Sequence, residues 1–391
     1  MKKSAEHVYV HVPFCDGKCS YCAFYSLLYT PSQADRYITA IEQEISFANR
    51  YIAPLVPRTV YIGGGTPTVL DPRQLGHLLQ VVKDAVPLAH LREWTVEANP
   101  GTLTAGKLGL LCDAGVNRIS IGAQSFDDDV LRCIGRRHGV DDILRAVQFV
   151  GQSGIANWGL DLIACLPGVD DPTWGRTLDA ALRLGPKHLS VYALSLEEGT
   201  RFHELLREGR LQPSDPDDEL RVLDATEARL RHAGYVRYEI SNFALPGYEC
   251  AHNTAVWKGE DYIGFGPAAS SRVGLERWTN KPDLPCYIES ILSEAPPPSE
   301  DETLSPATDA AERLAFCFRL QDGVDLRAYA MGRLDLEAAW EEALARLSGE
   351  GLARKEGDLW LLTPAGRSFA DRVAAEILSA TPEDDVTASE G

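Results

Sequence analysis

Three cysteines, Cys15, Cys19 and Cys22, stand in the stretch FCDGKCSYC with the spacing C-x3-C-x2-C. A disulfide consumes two thiols, and a closed zinc or iron–sulfur site usually takes four. Three thiolates converging from a loop that contains Gly and Lys suit a [4Fe–4S] cube that keeps one iron for a ligand other than protein. That is the logic of a catalytic rather than a structural centre. A zinc site completed by His11 is the competing arrangement, and a chance cluster is the other alternative. The remaining cysteines, 112, 133, 165, 250, 286 and 317, are scattered and read as small buried hydrophobes. Cys250 is the least typical of them, two residues before His252.

The chain that must place these thiols has 391 residues, more than one small core requires, so a large domain followed by a smaller one is expected. A net charge of −19 argues against nucleic acid or an anionic membrane surface as the main partner. No run approaches the roughly 18 apolar residues of a membrane span, and the first residues lead straight into an alternating strand pattern. A cytoplasmic protein with reduced thiols is the expectation.

Stepping outward from the cysteines, the first two-thirds repeats one theme of strand and amphipathic helix. Strands are expected at Val8–Val12, Thr59–Gly63, Trp94–Glu97, Arg118–Gly122, Gly159–Ala164 and Leu189–Leu194. Helical spacing fills Ala34–Arg50, Pro72–Ala85, Leu103–Ala114, Asp141–Ser153 and Pro172–Leu184. Such alternation predicts an α/β fold with a parallel sheet, either a partial (β/α)6 TIM-like barrel or a doubly wound sheet. Both put functional groups at the carboxyl ends of strands. The stretches FCDGKCSYC, GGGTP, EANPG and GAQS fall there.

The expected division is a barrel over 1–200, an α+β extension over 201–293, and an exposed Pro- and acid-rich linker over 294–306. A helical, winged-helix-like domain follows over 307–378, with a disordered tail over 379–391. Within the extension, Asp215–Ala233 reads as a helix and Tyr235–Phe243 as a strand.

With these stretches in view, the sequence resembles the radical S-adenosylmethionine (SAM) superfamily, whose defining motif has this cysteine spacing. Within it the chain is similar to the branch that holds oxygen-independent coproporphyrinogen III oxidase and the HemW haem chaperones. The resemblance rests on YVHVPFCDGKCSYC, YIGGGTP, VEANPGTL, RISIGAQSF, GRRH, GLDLIACLPG, YEISNFALPGYECAHN and GEDYIGFGPAASS, and extends over nearly the whole chain. It implies that Cys15, Cys19 and Cys22 hold three irons of a [4Fe–4S] cluster, while SAM chelates the fourth through its amino and carboxylate groups. An electron from the cluster could then cleave the sulfonium and give a 5′-deoxyadenosyl radical.

The same resemblance implies that Tyr21 contacts adenine and that the backbone of Gly63, Gly64, Gly65 and Thr66 approaches the methionine part of SAM, where a Cβ would obstruct. It further implies that Glu97 is a carboxylate near SAM, and that Tyr9, Gln124, Arg136 and Asp161 line the same pocket. Each residue alone is as compatible with a structural role; together, on successive strand ends, one pocket explains them.

Two departures select the branch. The decarboxylases of this family carry a further cysteine where Phe24 stands, and reach the motif after a longer N-terminal segment. Both differences favour the HemW side, whose H-N-x-x-Y-W signature is matched by His252, Asn253 and Trp257, with Val256 replacing Tyr. Relatives usually have a histidine where Ser270 stands, which leaves His252 as the candidate haem ligand, with Cys250 a distant second. The resemblance therefore implies a haem chaperone that takes haem, the cluster and SAM, draws on a reductant and delivers haem to an acceptor protein. The alternative is a radical SAM enzyme acting on a tetrapyrrole or another small substrate by decarboxylation, methyl transfer or ring opening. Whether a net reaction is catalysed stays open at this point.

Overall fold

The computed structural model describes residues 5–52 and 55–382. Six strand–helix units open the chain. They are β1 (Ala5–Val12), α1 (Pro31–Tyr51), β2 (Leu55–Gly64), α2 (Pro72–Ala85), β3 (Glu93–Ala98), α3 (Ala105–Ala114), β4 (Arg118–Gln124), α4 (Asp128–Cys133), α5 (Val140–Ser153), β5 (Asn157–Ala164), α6 (Asp171–Leu184) and β6 (His188–Ala193). Strands β1 to β6 lie side by side in chain order and all run parallel. An order without reversal is that of a barrel wound in one direction, and it excludes the doubly wound alternative.

The helices follow from spacing and caps. In α1 the residues Ala34, Tyr37, Ile38, Ile41, Ile45 and Ala48 are buried, one stripe at intervals of three and four against the sheet. Pro31 occupies the first turn, where its missing N–H costs nothing. In α2 the Asp71 carboxylate accepts the Gln74 N–H at 2.8 Å and closes the helix start.

The extension adds α7 (Arg201–Arg207), α8 (Pro216–His232), β7 (Val236–Arg237), β8 (Asn242–Ala244), α9 (Ala251–Trp257), β9 (Tyr262–Phe265), β10 (Ser270–Val273), β11 (Glu276–Asn280), α10 (Leu284–Leu292) and β12 (Ser299–Thr303). Its strands join the barrel sheet at both edges, giving twelve in the order β12-β11-β10-β9-β1-β2-β3-β4-β5-β6-β8-β7. Strand β9 lies parallel beside β1 and acts as a seventh parallel strand.

Two stretches differ from the expected elements. The strand expected over Tyr235–Phe243 is a tight hairpin of β7 and β8, because Glu239 accepts the Ser241 N–H at 2.7 Å and turns the chain. The stretch expected as a linker contains β12, an acidic, exposed edge strand whose backbone pairs with β11 from Glu276↔Thr303 to Asn280↔Ser299. Charge on such an edge keeps it from recruiting further strands.

The C-terminal part holds α11 (Pro306–Cys317), α12 (Arg327–Ala330), α13 (Leu334–Gly349), a hairpin of β13 (Ala353–Glu356) and β14 (Leu359–Leu362), α14 (Pro364–Ser368) and α15 (Ala370–Ala380). Its core is separate, built on Leu314, Leu336, Trp340, Leu344, Trp360 and Ile377. Helix α15 reaches into the region expected as a disordered tail, while residues 383–391 lie outside those described. Arg272 joins this part to the sheet through Asp309, and Arg319 lies 4.4 Å from the Trp257 ring of α9. Among the described residues no helix is long and apolar enough to cross a membrane.

Candidate functional site at the barrel mouth

The loop after β1 is fixed by backbone hydrogen bonds before any cofactor is considered. Tyr29 N–H donates to the Cys15 carbonyl at 2.9 Å, Ser20 N–H to Ile134 at 3.0 Å, and Cys22 N–H to Cys19 at 3.3 Å. The stretch GRRH clasps the loop residue by residue. Gly135, at φ 78°, leaves room where a Cβ would stand 3.1 Å from the Ser20 hydroxyl. Arg136 places Nη1 at 3.5 Å from Cys19 Sγ and donates through Nη2 to the Gly122 carbonyl. Arg137 donates to the Asp16 carbonyl at 2.6 Å, and His138 bonds Asn99 at 3.0 Å.

The three cysteines, all half-buried, line a cavity of about 590 Å³ that opens at the carboxyl ends of the strands. The same wall includes Tyr21, Gly64, Gly65, Thr66, Glu97, Gln124, Arg136 and Asp161. Burial pushes the Cys15 and Cys22 thiols above their ordinary range, while the Thr66 hydroxyl, 3.5 Å from Cys15 Sγ, works against that shift. Metal binding would displace those protons. The donor set fits a three-thiolate centre with an open position. The zinc alternative does not fit, because both His11 nitrogens are committed, to Tyr25 O at 2.8 Å and Tyr9 Oη at 3.1 Å.

The glycine triplet has three separate reasons. A Cβ on Gly63 would lie 2.6 Å from the Glu97 carboxyl carbon, and one on Gly65 would lie 2.6 Å from the Phe14 carbonyl. Gly64 adopts φ 96°, and its Cβ would strike the His11 ring at 2.4 Å. The triplet therefore brings Glu97 against the loop: the carboxylate accepts Tyr61 O–H at 2.7 Å and Gly64 N–H at 3.0 Å. Burial, with Asp161 adding to it, pushes the Glu97 carboxyl up to about 7. Asp161 accepts from Ser120 Oγ at 3.0 Å and is likewise raised by burial. Gln124 sits at φ 67°, next to an irregularity in the β4–β5 pairing, and this strained backbone aims it into the cavity wall.

Two expected residues lie elsewhere. Tyr9 is absent from the cavity wall. It stands one strand away, its ring 6.1 Å from that of Tyr61, which takes the wall position. His252 lies on α9, which packs under the barrel, and is only 6% exposed. Its Nδ1 is 2.8 Å from the Thr59 hydroxyl, which is 2.8 Å from His7 Nδ1, and His7 Nε2 is 2.9 Å from Glu260. One hydrogen-bonded chain therefore runs from Glu260 through His7 and Thr59 to His252. Glu93 anchors the start of α9, accepting from Ala251 N–H at 3.0 Å, His252 N–H at 3.1 Å and Cys250 S–H at 3.4 Å. As a haem ligand His252 is thus enclosed, and an iron would reach it only if α9 left the sheet. Its neighbour Asn253 does line the cavity. Of the other cysteines, Cys250 and Cys317 are buried as expected, while Cys133 and Cys286 are exposed.

Sequence reasoning missed Tyr61, Arg118, Ser120, Ser190 and Tyr192, which also line the cavity. The signal was present in part. Counting back in steps of two from Gln124 gives Gly122, Ser120 and Arg118, the inward row of β4.

Comparison with known proteins agrees with this geometry. The Radical SAM superfamily family model matches residues 9–181, and the HemN C-terminal domain model matches residues 304–369. The heme chaperone HemW of Bacillus subtilis is 33% identical over 373 residues, covering 95% of this chain and 98% of that protein. The heme chaperone HemW of Mycobacterium tuberculosis is 35% identical over 376 residues, covering 95% and 94%. Among solved structures, coproporphyrinogen III oxidase (HemN) of Escherichia coli, a radical SAM enzyme, superposes with a TM-score of 0.83 at 23% identity, covering 95% of this chain and 90% of its own. At that identity the match speaks for the fold. With near full-length identity above the level at which families are recognised, the chain belongs to the HemW family within the radical SAM superfamily.

Proposed function

We propose that the protein is a haem chaperone that binds a [4Fe–4S] cluster and SAM in the barrel mouth, takes up haem and passes it to an acceptor protein. The observation that carries this reading is the convergence of three half-buried thiols and the candidate SAM residues on one cavity, in a chain whose HemW relatives span its length. Cys15, Cys19 and Cys22 would hold three irons, and SAM would complete the fourth. When bound, this pair supplies a one-electron reductant beside a cleavable sulfonium.

The chain's own residues then have defined tasks. Arg136 sets positive charge beside the Cys19 sulfur, where it would balance the negative charge of a thiolate-ligated cluster. Glu97, oriented by Tyr61 and Gly64, offers an acceptor to an ammonium group of the bound ligand. Tyr21 supplies an aromatic face between the second and third cysteines. A second reading, a radical SAM enzyme turning over a small substrate, is favoured by the depth of the cavity, which continues to Arg118 and Asn253.

Haem titration of the anaerobically reconstituted protein, followed by the Soret band with and without SAM, separates the two. The chaperone reading expects saturable binding of one haem per chain. Because His252 is enclosed, His252→Ala is expected to keep the Soret maximum of the parent. No Soret change on titrating the parent would sink the chaperone reading and leave the small-substrate enzyme.

A further inference from the structure

The cavity floor holds a guanidinium with buried N–H groups that no neighbouring residue accepts from. Arg118 begins β4 on its inward row, lines the cavity and is 2% exposed. Its Nε and Nη1 are buried with no hydrogen-bond partner among the described residues. The nearby carboxylates are committed elsewhere. Glu97 accepts from Tyr61 and Gly64, Asp161 from Ser120, and Glu93 from the start of α9. A guanidinium removed from water needs acceptors for a rigid fork of N–H groups, and the planar acceptor that matches this fork is a carboxylate.

We propose that Arg118 forms a carboxylate-binding subsite on the barrel floor, engaging an acidic group of a second ligand that lies behind SAM. The assumption that SAM occupies the mouth rests on the proposed function; the subsite itself needs only the cavity and the unpartnered N–H groups of the guanidinium. SAM's own carboxylate is the other source of the same chemistry. Position argues against it. Arg118 lies two residues before the Ser120 that pairs with Glu97, roughly 7 Å further down the barrel, while Arg136 is the cation at the level of the cysteines. Ser190, Tyr192 and Asn253 line the same cavity with uncharged polar groups. Burial raises Glu97 and Asp161 toward their neutral forms, which lessens the repulsion that an incoming carboxylate meets.

The test uses the full chain, cluster-loaded and saturated with SAM, and compares sodium propionate with propionamide at matched ionic strength. Propionate is expected to raise the parent's melting temperature by about 2 °C more than propionamide does. Arg118→Gln should erase that difference. Arg118→Lys, which keeps the charge and loses the fork, should retain less than half of it and covers the case in which Arg118→Gln does not fold. In parallel, the parent should bind haem about tenfold more tightly than haem dimethyl ester, and Arg118→Gln should lose the preference. An equal propionate effect in parent and variant, or none in the parent, overturns the subsite. If instead Arg118→Gln weakens SAM and leaves the ester preference intact, the anion is SAM's carboxylate and the second-ligand assignment falls. Failure of the parent to bind either porphyrin overturns the haem reading alone, since the propionate difference is read without haem.

Discussion

The mouth and the floor of the barrel carry the same kinds of residue under opposite conditions. At the mouth, three thiols, Glu97 and Arg136 face a cavity with room for a ligand. At the floor, His7, Thr59, Glu93, Cys250 and His252 have comparable chemistry, yet their polar atoms answer one another through hydrogen bonds of 2.8 to 3.4 Å. Saturation is what separates the three thiols from the hydrogen-bonded cluster around His252. A histidine whose ring is enclosed and bonded holds elements together, whereas a thiol with one wall open can take a metal.

The difference can be broken most severely at Glu93. Glu93→Ala leaves the Ala251 and His252 N–H groups at the start of α9 without their acceptor, so a loss of about 3 kcal/mol or more is expected, read as a lower urea midpoint. Equal midpoints for parent and variant would mean that the floor is not held by this residue.

The pH dependence sharpens the contrast, because the two regions slope in opposite directions. Burial raises Glu97 to about 7, so the native state keeps a proton that the unfolded state releases, and stability falls as pH rises from about 4.3 through about 7. Burial, with His7 and Arg118 nearby, lowers His252 to about 3, so the unfolded state takes up a proton that the native state refuses. Stability then falls as pH drops from about 6.5 toward 3. In metal-free protein, Glu97→Gln should make stability rise more steeply with pH between those limits, and His252→Asn should flatten it. Each change is at most about 1.4 kcal/mol per pH unit. Slopes that move together would contradict the assignment.

The smallest effect belongs to the mouth rim. Phe24 is 67% exposed, and Phe24→Ala should change stability by less than about 0.5 kcal/mol. A larger loss would show that the rim is packed in solution.

These contrasts explain what was legible in the sequence. The six barrel strands and their helices follow from periodicity, and the three cysteines from spacing, because both signals are local. Strand β9 was not legible, since it pairs with a strand some 250 residues earlier in the chain. Strand β12 was hidden because SEDET carries no apolar side chain to mark it; its backbone alone joins the edge. The enclosure of His252 was invisible for a related reason, as its partners Thr59 and His7 lie 193 and 245 residues away. Arg118 was readable only once the direction of Gln124 was known.

The central claim, that the three cysteines hold a cluster completed by SAM, is tested most directly by iron analysis combined with electron paramagnetic resonance of the reduced, anaerobically reconstituted protein. The account predicts about four irons per chain, a cluster signal that changes when SAM is added, and loss of both in Cys19→Ala. Unchanged iron in Cys19→Ala, or a signal indifferent to SAM, would contradict it.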